Sequence, residues 1–516
     1  MQTSPIAIAT SRSNPDARVN TSTRLLYGIG SVAYGVKDNG LRFFLLIFYN
    51  QVMGLPASLV AMALMIALVI DAIADPIIGQ ISDTWHSKWG RRHPFMYFAA
   101  LPTAIAYLLL WNPPTDWSQT QLLMYLVVTA IVVRTLITFY EIPSSALVSE
   151  FTNNYDERTS IMSVRYLFFF WGSLGMSVLT YRVLFFTTAD FPVGQLNPDS
   201  YARYGWVAAP VMLISMLVST IGTHKWIPKL RKPQVRPKVG VITIAKEMLE
   251  TIGDRSFLMV MTAALCKGMA LGISGSLTLY MNTFFWQLTA AQLAILVFDG
   301  FFSALFAAWV TPRVAKRFGK KTTIIWFFAG SFIIGVAPQV LRVFGLFFEN
   351  GSPWLVPTLF VHGAIFGTIG IGSTILAASM IADCVEDSEI RTGRRSEGLF
   401  FSANSLMQKA IGGLGVLTSG LILDYIAFPA RAVPGQVEQV ILNDLVFKYV
   451  PISGALYLIG SICLYFYRID RKKHEANLQK LQTENNDEIS KENKAHHKNI
   501  EQRIEESQEI VTTPQM

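Results

Sequence analysis

Residues 63–79 read ALMIALVIDAIADPIIG, part of an apolar run long enough to cross a bilayer as a helix, yet it carries two carboxylates. Asp71 and Asp75 are four residues apart, so a helix places both on one face. A carboxylate at membrane depth costs a few kcal/mol even on insertion scales, and two together cost more. Pro76 follows the pair and removes the helical hydrogen bond to the Ala72 carbonyl, which leaves that oxygen near the acids. Two anionic groups and a freed carbonyl suit a small hard cation or a shared proton. The alternative is a structural pair satisfied by neighbouring helices. The run ends in SDTWHSKWGRRHP, a short basic loop, and a second apolar run starts at once. Its Lys and Arg excess predicts a cytoplasmic loop, with Asp83 paired to Arg91 or Arg92.

The rest of the chain has the same character. Over 516 residues, 52% are apolar and only 15% are charged, which excludes an ordinary soluble domain and predicts an integral membrane protein. The net charge of +8 does not point to nucleic acid, because the cations sit in short loops between apolar runs. Cys266, Cys384 and Cys463 form neither a disulfide framework nor a metal spacing. The opening residues lack a signal-peptide pattern, so the first span is expected to direct insertion.

Apolar runs predict an all-α membrane protein of twelve transmembrane helices in two six-helix halves. A polar tail, 1–23, precedes the first half at 24–227. A basic, proline-bearing linker at 228–253 leads to the second half at 254–468, and a polar tail fills 469–516. Cationic loops after the even-numbered spans place both termini in the cytoplasm. KWGRR at 88–92 and RFGKK at 317–321 occupy the same place in the two halves. The same offset sets Asp71 on Gly300 and Asp75 on Ala304, so only the first half carries the carboxylate pair. Repeated halves are the architecture of alternating-access carriers.

Further charges lie inside spans. Lys37, Asp38 and Arg42 interrupt the first, either facing a cavity or neutralising one another near an interface. Thr138 and Glu141 are three apart in the fourth span, just before Pro143. Arg165 in the fifth can neutralise Glu141, hold a substrate oxygen or simply sit near the cytoplasmic end. Lys267 in the seventh and Lys409 in the eleventh, with Asn404, Ser405 and Gln408 beside it, each need a carboxylate partner or an anionic ligand. These are expected to pair with first-half acids across a central cavity. Asp383, Glu386 and Glu389, with Arg391, Arg394, Arg395 and Glu397, read as a cytoplasmic salt-bridge gate, or else as a solvated loop. His362 reads as a packed side chain. No Gly-rich phosphate loop or paired His/Cys metal spacing occurs, so no cofactor or structural metal is expected and energy should come from an ion gradient.

DAIADPIIG and its basic loop, YGIG, FYNQVMGL, EIPSSALV, YDERTS, MIADCVEDSE and RRSEG together resemble the glycoside–pentoside–hexuronide:cation symporter family of the major facilitator superfamily. The resemblance spans about 24–468. It implies that Asp71, Asp75 and Thr138 serve the coupling cation, and that Glu141, Arg165 and Lys409 serve the substrate. Asp38 and Lys267 join the substrate group on the reading above. The chain departs from the family in three respects. Its asparagine before the second aspartate is Ala74, its sugar-stacking aromatic positions are Ser145 and Thr374, and its span-one acid falls on Gly35, with Asp38 a turn along.

The expected function is therefore cation-coupled symport of a small polar solute, most simply a sugar, glycoside or sugar acid, and not an enzyme activity. The expected partners are that solute, the coupling cation and the lipid bilayer, with no nucleic acid, and the chain is expected to work as a monomer in a bacterial inner membrane. Alternatives are a uniporter, a lysolipid carrier or a transport-like sensor. With Ala74 supplying no ligand, a sodium shell is thin, whereas two carboxylates a turn apart share a proton readily. Protons are expected over sodium.

Overall fold

The computed structural model describes residues 19–152, 155–229, 255–392, 397–467 and 469, without side chains at 386, 389, 391 and 397–406, among others. Asn404, Ser405, Glu386, Glu389, Arg391 and Glu397 are thus without a described side chain. Arg394, Arg395, most of the linker and most of both tails lie outside the described residues. Those described are helical or in turns, with no strand among them.

Twelve helical spans cross in sequence. The first is interrupted: helices Thr21–Ile29 and Val32–Asn39 continue through wider π-type turns at Gly40–Phe44 and Phe48–Val52. The others in the first half are Ala57–Thr84, His93–Leu110, Gln119–Phe151, Tyr155–Leu179 with its extension Thr180–Leu184, and Pro198–His224. The second half has Arg255–Tyr280 with Met281–Phe285, then Ala290–Leu296 broken from Asp299–Phe318, then Lys320–Val343, Leu355–Thr392, Glu397–Tyr425 and Gln439–Tyr465. Ten of these are long and apolar enough to cross a bilayer outright. Their exposed flanks are Leu, Ile, Phe and Trp, the surface that lipid tails solvate. The sixth and twelfth helices start at Pro198 and Gln439, earlier than hydropathy suggests, because their first turns are polar but still helical.

Small residues set how closely helices approach. In the eleventh span, a Cβ on Gly420 would meet the Ala57 carbonyl oxygen and Ala61 Cβ at 2.5 Å. A Cβ on Gly35 would strike the Phe169 carbonyl, so no side chain fits there. Position 35 is closed against the fifth span, while Asp38 is exposed.

The halves are joined at the end that carries the first-to-second span connection. Gln51 Nε2 donates to the Pro429 carbonyl at 3.1 Å, and its Oε1 accepts from the Ala432 amide at 2.9 Å. Tyr280 donates to Asn50 Oδ1 at 2.7 Å, and Gln195 donates to the Leu288 carbonyl at 3.0 Å. Asp424, from the end of the eleventh span, accepts from the Ala57 and Ser58 amides at 3.2 and 3.1 Å, capping a second-span helix that has no side-chain cap of its own. Removing the Gln51 contacts should bias the protein toward opening at this end. Gln51→Ala is expected to shift the population by about 1–3 kcal/mol, a usual coupling energy between states. Cysteine labelling from that side measures it, and unchanged labelling would show that the latch carries no conformational energy.

Candidate functional site

Midway along the bundle the second span presents Asp71 and Asp75 toward the fourth and eleventh. Its helix runs on through Pro76 from Ala57 to Thr84. Lys409 of the eleventh span reaches both acids, with Nζ 2.5 Å from Asp75 Oδ2 and 3.1 Å from Asp71 Oδ2. Asp71, only 4% exposed, also accepts from Thr138 Oγ1 at 2.9 Å. Arg134 holds the same carboxylate from one turn earlier in the fourth span, 3.5 Å from Asp71 Oδ2. A buried carboxylate needs this much company, since desolvation penalises any charge left alone.

One turn away lies a second cluster. Lys37 Nζ is 2.8 Å from Asp38 and 3.9 Å from Glu141, which joins the first and fourth spans. Asp38 is 50% exposed and Lys409 30%, although both sit deep in their spans. Helices buried on all sides would not leave them so open, so these charges line a path reached by solvent. Arg165 is buried, donates to the Tyr27 hydroxyl at 2.9 Å and lies over the Tyr34 ring at 5.1 Å. It therefore braces the first span against the fifth and does not pair with Glu141.

Lys267 corrects an expectation. Its Nζ donates to the Gly370 carbonyl at 2.6 Å and to Thr374 Oγ1 at 2.5 Å, both on the tenth span, so its partners are neutral oxygens. Of these two second-half lysines, only Lys409 pairs with first-half acids among the described residues.

At the opposite end from the Gln51 latch, Glu150 Oε1 accepts from Arg91 Nε at 2.9 Å and from Arg92 Nε at 3.0 Å. Arg92 also pairs with Asp83 and donates to Ser82 Oγ at 2.7 Å. The second half repeats this with Lys320, which is 2.7 Å from Asp383. Asp383 was expected to face Arg394 and Arg395, which lie outside the described residues; Lys320 from the RFGKK loop is its described ion partner. Both clusters sit within a half, and none of the described ion pairs at this end joins the two halves.

Sequence reasoning passed over four residues. Arg134 was signalled by a lone cation in VVTAIVVRTLITFY, four before Thr138. Lys320 was signalled by the repeat that sets KWGRR on RFGKK. Asp299, at the break in the eighth span, sits one place before the repeat counterpart of Asp71. For Glu150 the sequence holds no signal beyond an acid at a helix end.

The family model described as MFS/sugar transport protein matches residues 26–471. An uncharacterized symporter of Synechocystis sp. is 28% identical, over 90% of this chain and 97% of its own. The isoprimeverose transporter of Lactiplantibacillus pentosus is 26% identical, over 87% and 89%. Among solved structures, a D-xylose–proton symporter superposes with a TM-score of 0.60 at 13% identity, covering 88% of this chain and 98% of that one. The chain is an integral membrane transporter and not an enzyme. It belongs to the MFS/sugar transport family, within the glycoside–pentoside–hexuronide:cation symporters of the major facilitator superfamily.

Proposed function

We propose that this protein is a proton-coupled symporter of a sugar, glycoside or sugar acid, acting as a monomer in a bacterial plasma membrane with both termini in the cytoplasm. On that topology the Gln51 latch closes the outside, and the open charged path faces the cytoplasm. The observation that carries the reading is Lys409, which ties the second half to Asp75 and Asp71 of the first at mid-membrane. A site that binds the coupling ion and also links the halves can convert ion occupancy into a conformational bias.

The two acids have different company. Asp71 keeps Thr138 and Arg134 even when Lys409 leaves, so it stays anchored in the first half. Among the described residues Asp75 has Lys409 alone as ion partner. A proton on Asp75 removes the charge that holds Lys409, loosens the strap and lets the halves rock; its loss to the cytoplasm restores the strap. Substrate held between Asp38, Glu141 and Lys37 would load from the same path. Arg134 and Ala74 both weigh against a metal ion here, one as a fixed cation beside the pair and the other as a missing oxygen ligand.

Vesicle uptake tests this. A pH gradient without sodium should drive wild-type accumulation, and a sodium gradient at constant pH should not. Arg134→Gln removes the fixed charge and is expected to weaken proton-driven uptake on the order of tenfold, within the usual range of site-to-site coupling, while admitting some sodium stimulation. Stimulation of the wild type by sodium alone would show that the proton reading is wrong.

A further inference from the structure

Lys267 is an unusual side chain for a membrane interior. It is 5% exposed, and an ammonium has three protons to place. Two go to the Gly370 carbonyl and the Thr374 hydroxyl. Among the described residues it makes no ion pair. The acids of the path are already committed: Asp38 and Glu141 to Lys37, Asp71 to Arg134 and Lys409, and Asp75 to Lys409. Each acid of this group already has a closer cation, so none is left to neutralise Lys267. Arg42, a turn beyond Asp38 and exposed, likewise makes no ion pair among the described residues, and buried Arg165 is held by the Tyr27 hydroxyl instead of an acid.

The position of Lys267 suits a ligand. A Cβ on the next residue, Gly268, would meet Gln408 Oε1 at 2.6 Å, and Lys409 follows Gln408. The Lys267 ammonium therefore stands on a helix turn at the level of the strap between the halves. Its partner Thr374 is exposed, so the pair borders open space. A neutral solute would leave the buried charge uncompensated, whereas an oxyanion would form charge-assisted hydrogen bonds with the free ammonium proton and with a reoriented Thr374 hydroxyl.

We propose that Lys267, with Thr374, anchors one anionic group on the transported solute, so that the substrate is a small polyhydroxylated oxyanion such as a sugar carboxylate or phosphate, and not a neutral sugar. This rests on the reading of the chain as a symporter. The anchor stands on the second half and the proton-carrying acids on the first. Substrate and proton therefore meet at the interface that must move.

The test uses purified full-length protein and matched probes: glucuronate against glucose, galacturonate against galactose, and glucose 6-phosphate against glucose. Calorimetry of the wild type should show the charged member of at least one pair binding about tenfold or more tightly than its neutral partner, as expected when a buried charge gains its counter-ion. Lys267→Met should erase that preference and Lys267→Arg should keep most of it. Ligand-free Lys267→Met should also melt higher than the wild type, because an uncompensated buried charge has been replaced by an apolar chain of similar length. The proposal is overturned if neutral members bind as well as charged ones, if no charged member binds, or if Lys267→Met keeps the preference. Should Lys267→Met fail to fold, the wild-type ratios and Lys267→Arg decide alone. Proton-driven uptake of a neutral sugar, indifferent to Lys267→Met, would remove this inference and leave symport standing. An anion that binds through Lys267 but never crosses would do the reverse.

Discussion

Asp75→Asn is expected to abolish uphill accumulation while leaving substrate exchange in place. The amide keeps the size of the side chain and can still accept a hydrogen bond from Lys409, but it can neither carry a proton nor offer a charge. The 2.5 Å contact with Lys409 then falls from an ion pair to an ordinary hydrogen bond. Binding should survive, because Asp38, Glu141 and Lys37 are untouched and lie on other spans. Each pH unit across the membrane is worth about 1.4 kcal/mol, or tenfold in accumulation, for one coupled proton. Asp75→Asn should lose that factor entirely and equilibrate the solute. Asp71→Asn should impair transport differently. Arg134 would keep its charge beside a neutral amide, so packing and expression should suffer along with coupling. Counterflow and gradient-driven uptake in the same vesicles separate the two, and unchanged accumulation in Asp75→Asn would end the coupling role.

The membrane explains why so much could be read without coordinates. A bilayer forces each crossing segment to satisfy its own backbone, so spans show as apolar runs and intramembrane charges stand out against them. Asp71, Asp75 and Lys409 were visible for that reason, and the structure brings them together. Partner choice was less legible. Lys267 resembles Lys409 in sequence, yet it points along the tenth span to a carbonyl and a hydroxyl. Gly35 as such revealed little, and only the packing of its backbone against the fifth span shows that a side chain has no room there. Arg134 was overlooked because one cation in a long apolar run reads as an interruption until its i−4 relation to Thr138 is set beside Asp71. Pairs such as Lys320 with Asp383 join distant segments through packing, which a single sequence does not encode in any periodicity.

The two clusters at the end opposite the Gln51 latch occupy equivalent places in the halves, and their cations predict a different response to mutation. Glu150 is 3% exposed, and one of its oxygens serves both Arg91 and Arg92. Glu150→Gln would leave two guanidinium groups without that charge, one of them buried beside Ser82. Breaking a buried pair in this way costs about 3–5 kcal/mol, a large part of the stability of an ordinary domain. The Lys320 side chain in the second half is 36% exposed, so water screens its contact with Asp383. Asp383 is itself buried, so Lys320→Ala also has a cost, but it removes one partly solvated cation where Glu150→Gln strips the charge from two guanidinium groups. Thermal unfolding of both variants in one detergent should therefore show a larger drop for Glu150→Gln than for Lys320→Ala. Because Arg91, Arg92 and Glu150 tie the second-to-third span loop to the fourth span, Glu150→Gln should also expose residues near Ser82 to labelling from the side opposite the Gln51 latch. Asp83 alone would still hold Arg92 there, as a half-exposed partner unable to restore the lost charge. Equal melting shifts in the two variants would show that the twin clusters share one energetic role and that their difference in burial does not matter.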